Sequence, residues 1–170
     1  MRTRSLLHLF AAGALLAIPA LAEPTHAAPA TPAAFEQLKS LTGNWQAKGP
    51  NGSVMKASYE VYGNGTAVVE TLSGMGEPPM VTVYYPDGSQ VMLTHYCTMG
   101  NQPRMRTSEA GAGNHLSFAF VDATNMKSPD EAHMKALKVT FADKNHFSQE
   151  WTMNKDGKDM AETFNFERAK

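Results

Sequence analysis

Ser53-Val54-Met55-Lys56-Ala57-Ser58-Tyr59-Glu60-Val61-Tyr62-Gly63-Asn64-Gly65-Thr66-Ala67-Val68-Val69-Glu70-Thr71-Leu72 reads as two strands joined by a tight turn. Met55, Ala57, Tyr59 and Val61 fall on one face of the first strand, and Lys56, Ser58 and Glu60 fall on the other. Alternation with period two marks a strand with one dry and one wet face, and Gly-Asn-Gly between two such runs marks a hairpin. The same grammar continues in both directions. Segments at 44–48, 80–85, 90–98, 104–108, 115–121, 136–142, 146–154 and 161–168 are separated by Pro50-Asn51-Gly52, Pro86-Asp87-Gly88, Gly100-Asn101-Gln102-Pro103, Gly111-Ala112-Gly113-Asn114, Asp143-Lys144-Asn145 and Lys155-Asp156-Gly157-Lys158. A looser loop is expected over 73–79. About ten antiparallel neighbours in sequence predict an all-β chain, a single up-and-down β-barrel of eight to ten strands. A barrel of that size has room for one small ligand.

Two helical pieces interrupt the strands. Apolar residues at i, i+3 and i+6 in Phe35-Glu36-Gln37-Leu38-Lys39-Ser40-Leu41 predict a short N-terminal helix or turn. Ser128-Pro129-Asp130-Glu131 carries an N-cap serine, a proline at the first helical position and a glutamate behind it. It predicts a short helical cap over the barrel mouth, with an ordinary surface loop as the competing reading.

The chain opens with Arg2 and Arg4, an apolar stretch from Leu6 to Pro19, and the small-x-small sequence Ala20-Leu21-Ala22. This is the grammar of an export signal over residues 1–22. The alternative, an uncleaved membrane anchor, is disfavoured because the apolar run is too short to span a bilayer comfortably. No cysteine follows to take a bacterial lipid anchor. Residues 23–34 are rich in Ala, Pro and Thr and predict a disordered leader. Residues 35–170 then form the barrel domain, in a periplasmic or extracellular setting.

The formal charge is −1, and losing Arg2 and Arg4 makes it more negative. With no basic surplus to neutralise phosphate, a nucleic-acid partner is excluded. No apolar run elsewhere reaches membrane length, so no stable membrane insertion is expected after signal cleavage. A monomer or weak dimer is expected. Cys97 is the single cysteine. No intramolecular disulfide is therefore available, and stability must come from the core.

Chemistry-bearing residues concentrate in Thr94-His95-Tyr96-Cys97-Thr98-Met99-Gly100-Asn101-Gln102-Pro103-Arg104-Met105. On a strand, His95 and Cys97 share a face with Val91 and Leu93, which predicts that both project inward near the rim. Arg104 and Arg106 share a face on the following strand. If that face is also inward, a guanidinium joins the imidazole and thiol and suits an anionic group. Tyr59, Val83, Leu93 and neighbouring methionines would form an apolar wall. His95, Cys97, Asn101, Gln102, Arg104 and His133 would orient a polar end.

Competing readings use the same residues. His95, Cys97 and His133 are candidate ligands for copper(I), zinc or haem iron, with Met99 or Met134 in support. Cys97 as a nucleophile would need His95 as its base, in hydrogen-bond contact, and a hydrolase or isomerase could use His95 with Cys97 or with Glu150. A buried free cysteine beside a hydrogen-bonded histidine in a filled, structural barrel is the bland alternative. Glu150 and Glu70 read as solvated, and His115 and His146 as exposed. The 11 methionines are scattered along the chain rather than grouped, which favours pocket lining. No G-x-G-x-x-G, P-loop, G-x-S-x-G, H-E-x-x-H or C-x-x-C occurs, so the common enzyme signatures give catalysis no support.

Leu41-Thr42-Gly43-Asn44-Trp45 resembles the G-x-W start of lipocalin-like (calycin) barrels. Leu93-Thr94-His95-Tyr96-Cys97 with Gly100-Asn101-Gln102-Pro103-Arg104-Met105 is similar to segments of uncharacterised exported bacterial lipocalin-like proteins. Asp122-Ala123-Thr124-Asn125, His133-Met134 and Gln149-Glu150-Trp151 follow the same pattern. The resemblance implies a barrel whose floor is closed by Trp45, with Arg168 on the last strand packed over the indole. It carries no agreed activity and names no cofactor. The absence of a disulfide and of later lipocalin motifs argues against a retinoid- or lipid-type ligand. The reading is an exported barrel that binds a small, partly apolar molecule with a polar or anionic group at its mouth.

Overall fold

The computed structural model describes residues 31–49, 52–74, 76–107 and 113–170. The signal-type segment lies outside them, as does most of the leader. The described chain runs α1 (Ala33–Lys39), β1 (Gly43–Lys48), β2 (Val54–Tyr62), β3 (Ala67–Gly74), β4 (Glu77–Asp87), β5 (Gln90–Tyr96), β6 (Gln102–Thr107), β7 (His115–Thr124), β8 (His133–Asp143), β9 (His146–Lys155) and β10 (Lys158–Arg168). Each strand pairs antiparallel with its sequence neighbours, and β10 returns to β1, so the barrel is closed. Closure leaves no unpaired sheet edge, which suits a chain that has no disulfide to protect it.

One end is plugged. The strands turn there at Tyr62/Ala67, Asp87/Gln90 and Asp143/His146. Helix α1 starts behind Pro32, whose carbonyl accepts from the Phe35 and Glu36 amides. It buries Ala34, Phe35 and Leu38 against the barrel, with Leu41 just beyond. The helix thus begins two residues inside the stretch read as a leader. The Trp45 indole donates to the Leu41 carbonyl at 2.6 Å, and the Arg168 guanidinium lies 4.0 Å from its ring. Arg168 also donates to the carbonyls of Thr42 and Lys144, so it ties both chain ends of the barrel to its floor. Above it, Phe147 meets Trp45 edge-on at 4.8 Å and stacks on Phe166 at 4.8 Å. The plugged half is a packed aromatic core.

Two local expectations change. Val61 is 41% exposed although it alternates in phase with Tyr59, because β2 has reached the end of the barrel where no core remains to cover it. Ser128 to Glu131 is a turn rather than a helical cap, closed by the Glu131 amide on the Ser128 carbonyl at 3.2 Å. The Glu131 carboxylate is committed to the Lys127 amide, which draws it back across the turn instead of along a helix.

Candidate functional site

The opposite end is open. A cavity of about 450 Å³ sinks into it, lined by Met55, Met80, His95, Met134, Trp151, Met153 and Met160 together with Leu72, Glu77, Glu162 and Phe164. A larger depression of about 580 Å³ lies on the outer wall around Gln46, Lys48, His146, Asn165 and Glu167. Those five side chains are all exposed, and that depression has no buried polar group without a partner among the described residues. The mouth is therefore the stronger candidate site.

Register explains the cavity floor. Glu70 on β3 pairs with Thr82 on β4, and Thr82 pairs with His95 on β5. Residues directly opposite on neighbouring strands point to the same face, so three polar side chains line up across the inside of the barrel. All three are essentially inaccessible to solvent. The Glu70 carboxyl accepts from the Tyr59 hydroxyl at 2.7 Å, the Tyr84 hydroxyl at 2.8 Å and the Gln149 amide at 2.6 Å. The Thr82 hydroxyl lies beside it, across the β3–β4 pair. Gln149 is oriented by Trp151, whose donor-only indole takes the Gln149 carbonyl oxygen at 3.1 Å and leaves the amide nitrogen for Glu70 and Tyr59.

The Thr82 hydroxyl and His95 Nδ1 are hydrogen-bonded at 2.9 Å. The remaining nitrogen, Nε2, has no hydrogen-bond partner among the described residues. The ring packs 4.6 Å from Trp151 at the cavity wall. Burial lowers the His95 pKa from 6.5 to about 4, so the imidazole is neutral across the ordinary range. Burial pushes the Glu70 pKa the other way, upward, and the hydrogen bonds from Tyr59, Tyr84 and Gln149 oppose that rise.

A pH dependence follows. As pH falls below 6.5 the unfolded chain takes up the His95 proton first, so stability present at neutral pH is lost as pH approaches 4. At about 1.36 kcal/mol per pH unit the loss approaches roughly 3 kcal/mol. Glu70 acts with opposite sign, because its raised pKa lets the folded state take the proton first. Comparing the wild type with His95→Gln cancels the Glu70 contribution. In denaturant titrations the stability difference between the two proteins should shrink by about 3 kcal/mol between pH 7 and pH 4. Parallel stability curves would remove the buried neutral imidazole.

The other residues singled out in the sequence are distributed differently. Tyr59 is buried below the floor and belongs to the Glu70 network. Arg104 and Arg106 do share a face, but it is the outer one. Arg104 makes a bidentate pair with Asp122, and Arg106 pairs with Asp87 at 2.9 Å. The reason is register: Met105 faces Leu93 and is buried, so Arg104 faces the outward Thr94. Cys97 lies past the end of β5 in a turn closed by the Gly100 amide on its carbonyl, and it is half-buried. His95 Nε2 has no partner and Nδ1 holds Thr82, so no imidazole–thiol hydrogen bond is formed.

Asn101 is fully buried and donates to the Ala132 carbonyl at 2.8 Å, joining the 97–101 turn to the loop before β8. Gln102 bonds Gly100 and Thr124. His133 bonds the Glu131 carbonyl at 2.7 Å and packs on Phe120 at 4.7 Å. Of Tyr59, His95, Cys97, Asn101, Gln102, Arg104 and His133, only His95 lines the cavity. Val83 is half-buried, and its neighbours Thr82 and Tyr84 point inward in its place. Glu150 is exposed, as expected, whereas Glu70 is buried at the centre of the molecule.

No protein-family profile matches the chain, and no curated protein matches it. Among solved structures, the crystal structure of Rv2717c from M. tuberculosis aligns with a TM-score of 0.54 at 13% identity, covering 81% of this chain and 98% of that one. At that identity the likeness concerns the fold, a closed antiparallel barrel.

Proposed function

We propose that the protein is an exported binding barrel that holds a small, partly apolar molecule in its open mouth. The ligand's polar group would be met by His95 Nε2. One observation carries this reading: His95, whose buried Nε2 has no partner among the described residues, is one of the side chains lining a cavity that also holds five methionines and two aromatic rings. An unpaired buried acceptor costs on the order of 1–3 kcal/mol, which a ligand donor would recover. The preference is for a neutral or donor group, because the site's imidazole is uncharged and Arg104 lies outside. Trp45 under Arg168, and the export-type segment at residues 1–22, support placing the chain with exported lipocalin-like barrels.

The test is displacement of an apolar fluorophore such as anilinonaphthalene sulfonate. We expect one saturable, displaceable site. Met160→Trp should weaken it about 10-fold or more, because Met160 is 47% exposed at the rim and a larger side chain there fills the mouth without touching the core. A folded protein that shows no saturable probe binding overturns the reading.

A further inference from the structure

Resting on this reading of the mouth, we infer that the cavity is a site for a soft, monovalent d10 cation, copper(I), held by His95 Nε2 and methionine thioethers. Met134 on β8 pairs with Met153 on β9, and Met153 pairs with Met160 on β10. Three adjacent strands therefore carry methionine at one level, and all three side chains line the mouth. Met80 and Met55 line it from β4 and β2. Most of these residues are far apart in sequence, and the barrel gathers them around one cavity that His95 also lines.

The donor set is selective. Thioethers are soft, neutral ligands that suit copper(I), and a neutral imidazole completes such a set without adding charge. Hard divalent ions need oxygen ligands, and zinc takes histidine, thiolate and carboxylate. Among the described residues, no three histidine, cysteine or acidic side chains gather to supply those. Methionine has three rotatable side-chain bonds, so thioethers on several strands can converge on an ion smaller than the cavity. The Thr82 hydroxyl bonded to His95 Nδ1 supplies the outer support that metal-ligating histidines have: where the hydroxyl accepts, Nδ1 carries the proton and Nε2 keeps its lone pair for the metal.

The experiment is an anaerobic titration of the full chain with copper(I) against a chromophoric chelator, with zinc(II) in parallel and methionine methyl signals followed by NMR. We expect one equivalent of copper(I), no competitive zinc, and shifts at the cavity methionines. His95→Ala should weaken binding by about 100-fold or more, and the volume-conserving Met134→Leu/Met153→Leu/Met160→Leu triple variant by about 10-fold or more. Copper(I) affinity unchanged in both variants overturns the inference, as does no uptake by the wild type. The two readings fail separately. Apolar-probe binding without copper(I) removes only the metal, whereas copper(I) at His95 without probe binding removes only the organic ligand.

Discussion

Glu70→Ala is expected to destabilise the fold by about 4 kcal/mol, lowering the melting temperature by roughly 15 °C. The carboxyl is the shared acceptor for Tyr59, Tyr84 and Gln149 in a region from which solvent is excluded. Removing it strands several donors at once, and each buried donor without an acceptor costs on the order of 1–3 kcal/mol. Side-chain relaxation and water entry recover part of that sum. Glu70→Gln keeps one acceptor oxygen but turns an amide nitrogen toward donors, and should cost about half as much. Thermal and denaturant unfolding of the two variants beside the wild type checks the ordering. A loss below about 1 kcal/mol for Glu70→Ala would mean that the network contributes little. The two variants also separate stability from positioning. Probe binding by Glu70→Gln at full folding would then report whether the network also positions the cavity floor.

Much of the architecture was legible because barrel strands announce themselves by turns. Gly63-Asn64-Gly65 and Pro86-Asp87-Gly88 mark their hairpins, and Met55, Ala57 and Tyr59 mark an inner face that the structure keeps. What stayed hidden was parity where both faces are apolar. In β3, Val68 and Val69 are consecutive, so the strand can be read with either face inward. Its true phase is set by Leu72, and Glu70 is carried inward with it. The same difficulty placed Arg104. The face of β5 holding Val91, Leu93 and His95 reads inward, and it is. Which residue of β6 shares that face depends on how many residues the 97–101 turn consumes, and alternation within one strand cannot count them. The methionines were invisible as a group for a related reason. Met134, Met153 and Met160 become neighbours only through the β8–β9–β10 register, and a bulge between Met134 and Ala136 turns Met134 toward the mouth.

Gly74→Val tests whether that mouth depends on a single backbone approach, and it should cost about 4 kcal/mol or more. Gly74 ends β3 at the irregularity in its pairing with β4, with φ +103°, a conformation that a β-branched residue adopts only under strain. A Cβ at this position would also overlap the Val54 carbonyl oxygen of β2, which is backbone and cannot swing aside. Two penalties therefore act together, and Gly76 separates them. It also has a positive φ, +80°, but nothing lies within 4 Å of a Cβ built there. Gly76→Val should show the backbone strain alone, about 1–2 kcal/mol. The excess cost of Gly74→Val over Gly76→Val then measures the β2–β3 approach, which sets the position of Met55, the partner of Gly74 across the ladder and a wall of the cavity. Where Gly74→Val still folds, the displaced strand end should shift Met55 and weaken probe binding, while Gly76→Val should leave it unchanged. Equal destabilisation by the two variants would show that the close contact is relieved without moving the strands, and the mouth would not owe its shape to this glycine.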